Sequence, residues 1–135
     1  MSGLRSMMLG LSILLASAGL ANAQGSGPYL HDLFKKPPFK SSFQAMFRNE
    51  QNVDGWLPDP TGPASPSKTY QTDGKPGIGG MVCKAHDCGA NTFFYLFSQD
   101  GSRAVGILIK GKAQRWFGNP SPAEKNTLLQ VAKSS

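Results

Sequence analysis

The chain has 135 residues, with 14 Lys and Arg against 8 Asp and Glu, a formal charge of +6. That length allows one modest hydrophobic core and excludes a second large domain. The basic residues are scattered rather than gathered among stacking aromatics, which argues against a nucleic-acid partner.

The first segment reads as an export signal. Arg5 supplies a positive start, Met7 to Leu20 is apolar and small, and Ala21, Asn22 and Ala23 form an A-x-A cleavage site. Cleavage after Ala23 removes 23 of 135 residues and leaves 112, beginning at Gln24, with 13 Lys and Arg against 8 acids and a formal +5. The division expected is therefore 1–23 as a cleaved signal peptide and 24–135 as one domain. The apolar run is short for a bilayer span and no second one follows, so the mature chain is expected to be soluble, without a membrane partner, in a periplasm or outside the cell.

Tyr29 to Phe34 has the spacing of a short helix, with Tyr29, Leu30, Leu33 and Phe34 on one side. Pro37 and Pro38 interrupt it, because proline lacks the N–H and crowds the preceding turn. A second helix is predicted from Phe39 to Arg48, its apolar stripe formed by Phe39, Phe43, Met46 and Phe47. Asp54 to Ser67 carries four prolines and is expected to be an irregular surface connection.

From Lys68 the period moves toward two. Lys68 to Thr72 is a short strand, Asp73 to Gly77 a turn, and Ile78 to Cys83 a strand weakened by Gly79 and Gly80. Thr92 to Ser98 is nearly continuous in aromatics and is expected to be central and covered on both faces. Asp100-Gly101 signals a hairpin into Arg103 to Lys110, and Gly111-Lys112 turns into Ala113 to Phe117. Ser121 as N-cap, Pro122 and Glu124 open a C-terminal helix with Leu128, Leu129 and Ala132 on its apolar side. The fold class is α+β: an antiparallel sheet of about five strands flanked by N-terminal helices and a C-terminal helix.

The segment between two predicted strands, Cys83, Lys84, Ala85, His86, Asp87, Cys88 and Gly89, carries the chemistry. In an oxidising compartment an isolated cysteine pair is most simply one disulfide, which would close a small ring. A preorganised loop loses little entropy on docking. The ring offers a cation, an imidazole and a carboxylate, a tip suited to a polar cleft lined by carboxylates. His86 can donate from one ring nitrogen, or from both when protonated, and Asp87 either supports that ring or caps the turn. Read blandly, His86 is simply a solvated loop histidine. A metal held by Cys83, His86 and Cys88 would have three ligands at unusual spacing, and C-x-x-C redox chemistry does not fit. With His31 the only other histidine, no catalytic set, cofactor or metal site is expected, and the chain reads as a non-enzyme.

The ring, followed by Asn91 and a hydrophobic strand, resembles the signature loop of the inhibitor of vertebrate lysozyme family, Ivy. Tyr29, Leu30, His31, Asp32 and Leu33, with Pro37, Pro38, Phe39 and Lys40, look like that family's N-terminal helix region. The resemblance implies an inhibitory loop of Cys83, Lys84, Ala85, His86, Asp87 and Cys88 that enters the cleft of a C-type lysozyme and sets His86 against the catalytic carboxylates. Asp87 would then support His86, Cys83 and Cys88 would clamp the loop, and Lys84 would touch the cleft rim. The family form has proline where this chain has Ala85. Lysozymes of this type are basic, as is this chain, so complementarity has to be local.

Two other readings stand beside this one. The same loop could restrain an endogenous lytic transglycosylase, which also works on the glycan strand with a carboxylate. Alternatively, the chain could be an envelope glycan-binding module with Trp56 and Trp116 as platforms, although large aromatics are more often packed. Monomer and homodimer are both compatible with the sequence, the short strand Lys68 to Thr72 being a candidate pairing edge.

Overall fold

A computed structural model describes residues 27–135; the signal segment and the expected mature start at Gln24 lie outside the described residues. The elements are α1 (Leu30–Leu33), α2 (Phe39–Ala45), β1 (Lys68–Thr72), β2 (Lys75–Cys83), β3 (Asn91–Ser98), β4 (Ala104–Lys110), β5 (Ala113–Phe117) and α3 (Pro122–Ser134). The five strands form one antiparallel meander in the order β1-β2-β3-β4-β5. This is the α+β arrangement expected from the sequence.

Alternation along β3 explains the layering. Phe93, Tyr95 and Phe97 point to one face, where they meet Leu30, Leu33, Phe39, Phe43, Met46, Phe47 and Leu57. Phe94 and Leu96 point to the other face and pack with Val105, Ile107, Leu128 and Val131. The nearly unbroken aromatic run is thus a strand buried on both sides, as expected. Phe43 is the hub of the first face, with edge-on contacts to Phe34, Phe47 and Phe93 at centroid distances of 5.1, 5.4 and 5.6 Å.

Several boundaries differ from the sequence expectation. The turn before β2 is only Asp73-Gly74, both at positive φ (50° and 74°), and Thr72 pairs directly with Lys75. Lys75 and Pro76 belong to the strand. Pro76 is tolerated there because β3 ends opposite Gly77, so β2 has a neighbour on one side only at Pro76. Nor do the paired glycines weaken β2. Gly80 stands opposite Tyr95, and a Cβ there would meet the buried tyrosine hydroxyl 2.6 Å away, so the missing side chain is what admits the ring. Burial, with a smaller contribution from Tyr70, pushes the Tyr95 phenol well above its ordinary pKa.

The helices also shift by a few residues. Regular α2 stops at Ala45, yet Met46 and Phe47 remain in the core through the turns that follow. Tyr29 is 40% exposed and stacks on His31 instead of joining Leu30 and Leu33. In α3 the buried residues are Thr127, Leu128 and Val131, while Leu129 is 38% exposed. The capping box of Ser121 and Glu124 is present as read. Leu57 is fully buried within the proline-rich connection, and Ala64 bridges Val82, so that segment is partly core rather than only surface.

Candidate functional site

Cys83 ends β2 and Asn91 begins β3, so the cysteine ring is the connection between two central strands. Cys83 and Cys88 are joined by a disulfide, with Cα atoms 4.9 Å apart. Cys83 is fully buried, whereas Lys84, Ala85, His86 and Asp87 are exposed. The bond is therefore anchored in the body of the protein and the four residues it encloses project from it. With both sulfurs in this bond, neither can ligate a metal. Among the described residues no group of three or more His, Cys, Asp or Glu is clustered for a metal.

The tip is a tight turn. Asp87 N–H donates to the Lys84 carbonyl at 3.0 Å, and His86, third of the four residues, has φ 65°. Such a turn wants positive φ at its third position and accepts proline at its second, which here is Ala85. Histidine is among the few L residues that visit this region with any frequency. Even so, the left-handed conformation costs about 1 kcal/mol at a residue bearing a Cβ. The surrounding hydrogen bonds and the disulfide hold it there, with the imidazole at the apex.

Asn91 closes the neck. Its backbone N–H donates to the Asp87 carbonyl at 3.1 Å, its carbonyl accepts from Lys84 N–H at 3.1 Å, and its side-chain Nδ2 donates to the Asp87 carboxylate at 2.8 Å. Asn91 is only 5% exposed, so the amide is fixed by the body of the protein and holds the exposed Asp87 carboxylate from its inner side. The Thr92 hydroxyl donates to the Cys88 carbonyl at 2.9 Å, fixing the returning limb. Asp87 is thus bonded to Asn91 and supports the backbone of the ring.

A second wall comes from the proline-rich connection. Pro63 O accepts from Cys83 N–H at 2.9 Å, and Ser65 N–H donates to Met81 O at 3.1 Å. Next to these bonds, Gly62 lies so close that a Cβ would collide with the Cys83 carbonyl oxygen and the Ala85 nitrogen. From the sequence Pro63 is only one of four prolines in an irregular connection, and neither it nor Gly62 is tied to the ring. The only cue was a Gly-Pro pair in a stretch that otherwise reads as loop. Asn91 reads merely as following the ring, and a polar residue opening an aromatic strand was the available cue.

Trp56 packs against the first core face with its indole Nε1 buried, and Trp116 packs against the second face with the Lys125 ammonium 5.3 Å from its ring. Both tryptophans therefore serve packing. His31 lies 3.6 Å from the Asp32 carboxylate at the exposed start of the chain's described part, away from the ring in sequence and bonded to none of its residues.

The site is thus an exposed polar ring, closed by a disulfide, at the end of a sheet with two covered faces. The profile of the family described as "Inhibitor of vertebrate lysozyme (Ivy)" matches residues 38–134. An inhibitor of vertebrate lysozyme from Pseudomonas aeruginosa is 33% identical over 144 aligned positions, covering 96% of this chain and 94% of the relative. An uncharacterized protein of Yersinia pestis is 24% identical over 109 positions, 71% of each chain. The chain belongs to the inhibitor of vertebrate lysozyme (Ivy) family, a family of lysozyme inhibitors and not of enzymes.

Proposed function

We propose that the chain inhibits a C-type lysozyme by seating the ring of Cys83, Lys84, Ala85, His86, Asp87 and Cys88 in the catalytic cleft, with the His86 imidazole against the catalytic carboxylates. The reading places this work in the periplasm or outside the cell, in keeping with the export signal and the oxidised cysteine pair. Among the described residues no helix is long and apolar enough to cross a membrane.

One observation carries the reading: an exposed imidazole sits at the left-handed apex of a ring whose neck is locked by a disulfide, by Asn91 and by Pro63. The order is already present in the free protein, so docking freezes few additional rotors. A cleft that works with one protonated carboxylic acid and one carboxylate offers both a donor and an acceptor. An imidazole matches that pair, accepting at one nitrogen and donating at the other. Lys84 adds a cation at the rim, which makes the attraction local even though the protein as a whole is basic.

The test is cell-wall lysis by a C-type lysozyme with wild type, His86→Ala and His86→Asn. Asparagine tolerates positive φ, so the second variant keeps the turn and removes only the imidazole. Wild type should inhibit, and both variants should fold normally by circular dichroism yet inhibit at least about 30-fold less well, the scale of a hot-spot contact of about 2 kcal/mol. Folded wild type without inhibition, or variants as potent as wild type, would defeat the reading. A parallel arm with a lytic transglycosylase would redirect the target if that enzyme alone were inhibited.

A further inference from the structure

Two hairpin tips lie side by side at the ring end of the sheet. The ring joins β2 to β3, and Gly111-Lys112 joins β4 to β5, with Lys110 paired to Ala113 across a two-residue turn. Neighbouring strands lie about 4.8 Å apart, so the two tips are centred roughly 10 Å from each other. They are also tied together: Lys110 pairs with Asn91 at the neck of the ring, and Gly111 N–H donates to Ala90 O at 3.2 Å. The second tip is therefore fixed to the neck of the first.

The charges at this end are unevenly matched, and Asp59, which lines a cavity with Gly62 and Val82, is in no ion pair among the described residues. Asp87 is held by the Asn91 amide, Asp54 by Lys110 at 3.0 Å, and Glu50 by Arg115 at 3.2 Å. Lys84 and Lys112 are exposed and have no carboxylate partner among the described residues. One unpaired cation thus stands on each of two adjacent, rigidly linked tips.

We propose that Lys112 is a second contact of the docking surface, meeting carboxylates on the lip of the same cleft that the ring enters. The inference rests on the ring reading above. A lip charge that stays partly solvated acts mainly on encounter: it steers association and is screened by salt, while the buried ring contact governs dissociation. Lys112 and His86 should therefore separate kinetically.

Association and dissociation rates with a C-type lysozyme would be measured for wild type, Lys112→Ala, Lys112→Glu and His86→Asn at about 0.15 M salt, the low-salt condition, and at about 1 M, where the screening length falls from about 8 Å to about 3 Å. At about 8 Å the charges local to the lip act while the like net charges of the two proteins are largely screened. Lys112→Glu should slow association about 5- to 10-fold at low salt and less than about 2-fold at high salt, with dissociation little changed; Lys112→Ala should lie between wild type and Lys112→Glu. His86→Asn should mainly speed dissociation. If Lys112→Glu associates like wild type at low salt while His86→Asn loses inhibition, the ring reading stands and the Lys112 contact is overturned. If wild type neither binds nor inhibits, the ring reading fails and takes this inference with it.

Discussion

Ala85 occupies the second position of the tip turn, where a proline's fixed φ is favoured, and its N–H makes no hydrogen bond among the described residues. Proline at such a compatible site restricts the unfolded chain more than the folded one and stabilises the fold by about 0.4–1 kcal/mol. Ala85→Pro should therefore raise the Tm by a few degrees and, because the ring is already ordered before docking, leave inhibition within about 2-fold of wild type, read from thermal melts and inhibition constants for the two proteins side by side. A weaker Ala85→Pro inhibitor would mean that the turn, or its closeness to Gly62, has been misjudged. The polarity of Lys84, His86 and Asp87 made their exposure legible in the sequence. The left-handed φ of His86 was not legible, because it is imposed by bonds from Asn91 and by a wall at Gly62 and Pro63, some 20 residues away in the chain. The same applies to Asp87: either a cap or a support for His86 was conceivable from sequence, and only the fold shows the Asn91 amide on its carboxylate.

Each hairpin is stabilised by its own local chemistry, and the β3–β4 connection shows this most directly. The Asp100 carboxylate accepts from the Ser102 N–H at 3.0 Å, the Ser102 hydroxyl at 2.7 Å and the Ser98 hydroxyl at 2.8 Å. The Ser102 backbone bond, then the Ser102 and Ser98 hydroxyls, lower its pKa from 3.8 to about 2. Glu124 is lowered as well, chiefly by its paired bonds from Arg103 at 2.8 Å. A folded-state pKa below the unfolded value means that the unfolded chain binds the proton more readily, so this stabilisation is present above about pH 4 and fades as pH falls toward 2. Thermal melts between pH 4 and 2 should accordingly show a falling Tm for wild type and a shallower fall for Asp100→Asn. Equal slopes would show that Asp100 carries none of the acid sensitivity. At this scale the sequence was read well wherever a signal is local: the capping box, the Asp-Gly hairpin and the aromatic strand all lie where expected. It was misread where a partner decides the outcome. Gly80 looked like a weakness and is the space that Tyr95 fills; Pro76 looked like a turn residue and lies where β2 has a neighbour on one side only.

Across the whole molecule, shape and stability come from different parts. The body is a sheet with two covered faces, and single buried side chains such as Phe43, Phe93 and Phe97 contribute about 1.5–3 kcal/mol each. The disulfide closes only a six-residue loop, for which loop-closure entropy gives about 2 kcal/mol. Losing the bond should therefore cost no more than losing one aromatic from the core, and the body should survive without it. The bond nevertheless lies where the projecting residues leave the sheet, so its absence frees the neck and raises the entropy that docking must remove. The clean variant is Cys83→Ala with Cys88→Ala, because Cys83 is fully buried and serine there would bury a hydroxyl without an assured partner. We expect this double variant to fold with an unchanged far-ultraviolet spectrum, to melt about 10 °C lower, and to lose inhibition far more than that modest loss of stability suggests. If it melted about 10 °C lower yet inhibited as well as wild type, Asn91, Pro63 and the tip turn would suffice to hold the ring. If it failed to fold at 25 °C, the separation between a stabilising body and a shape-fixing bond would be wrong.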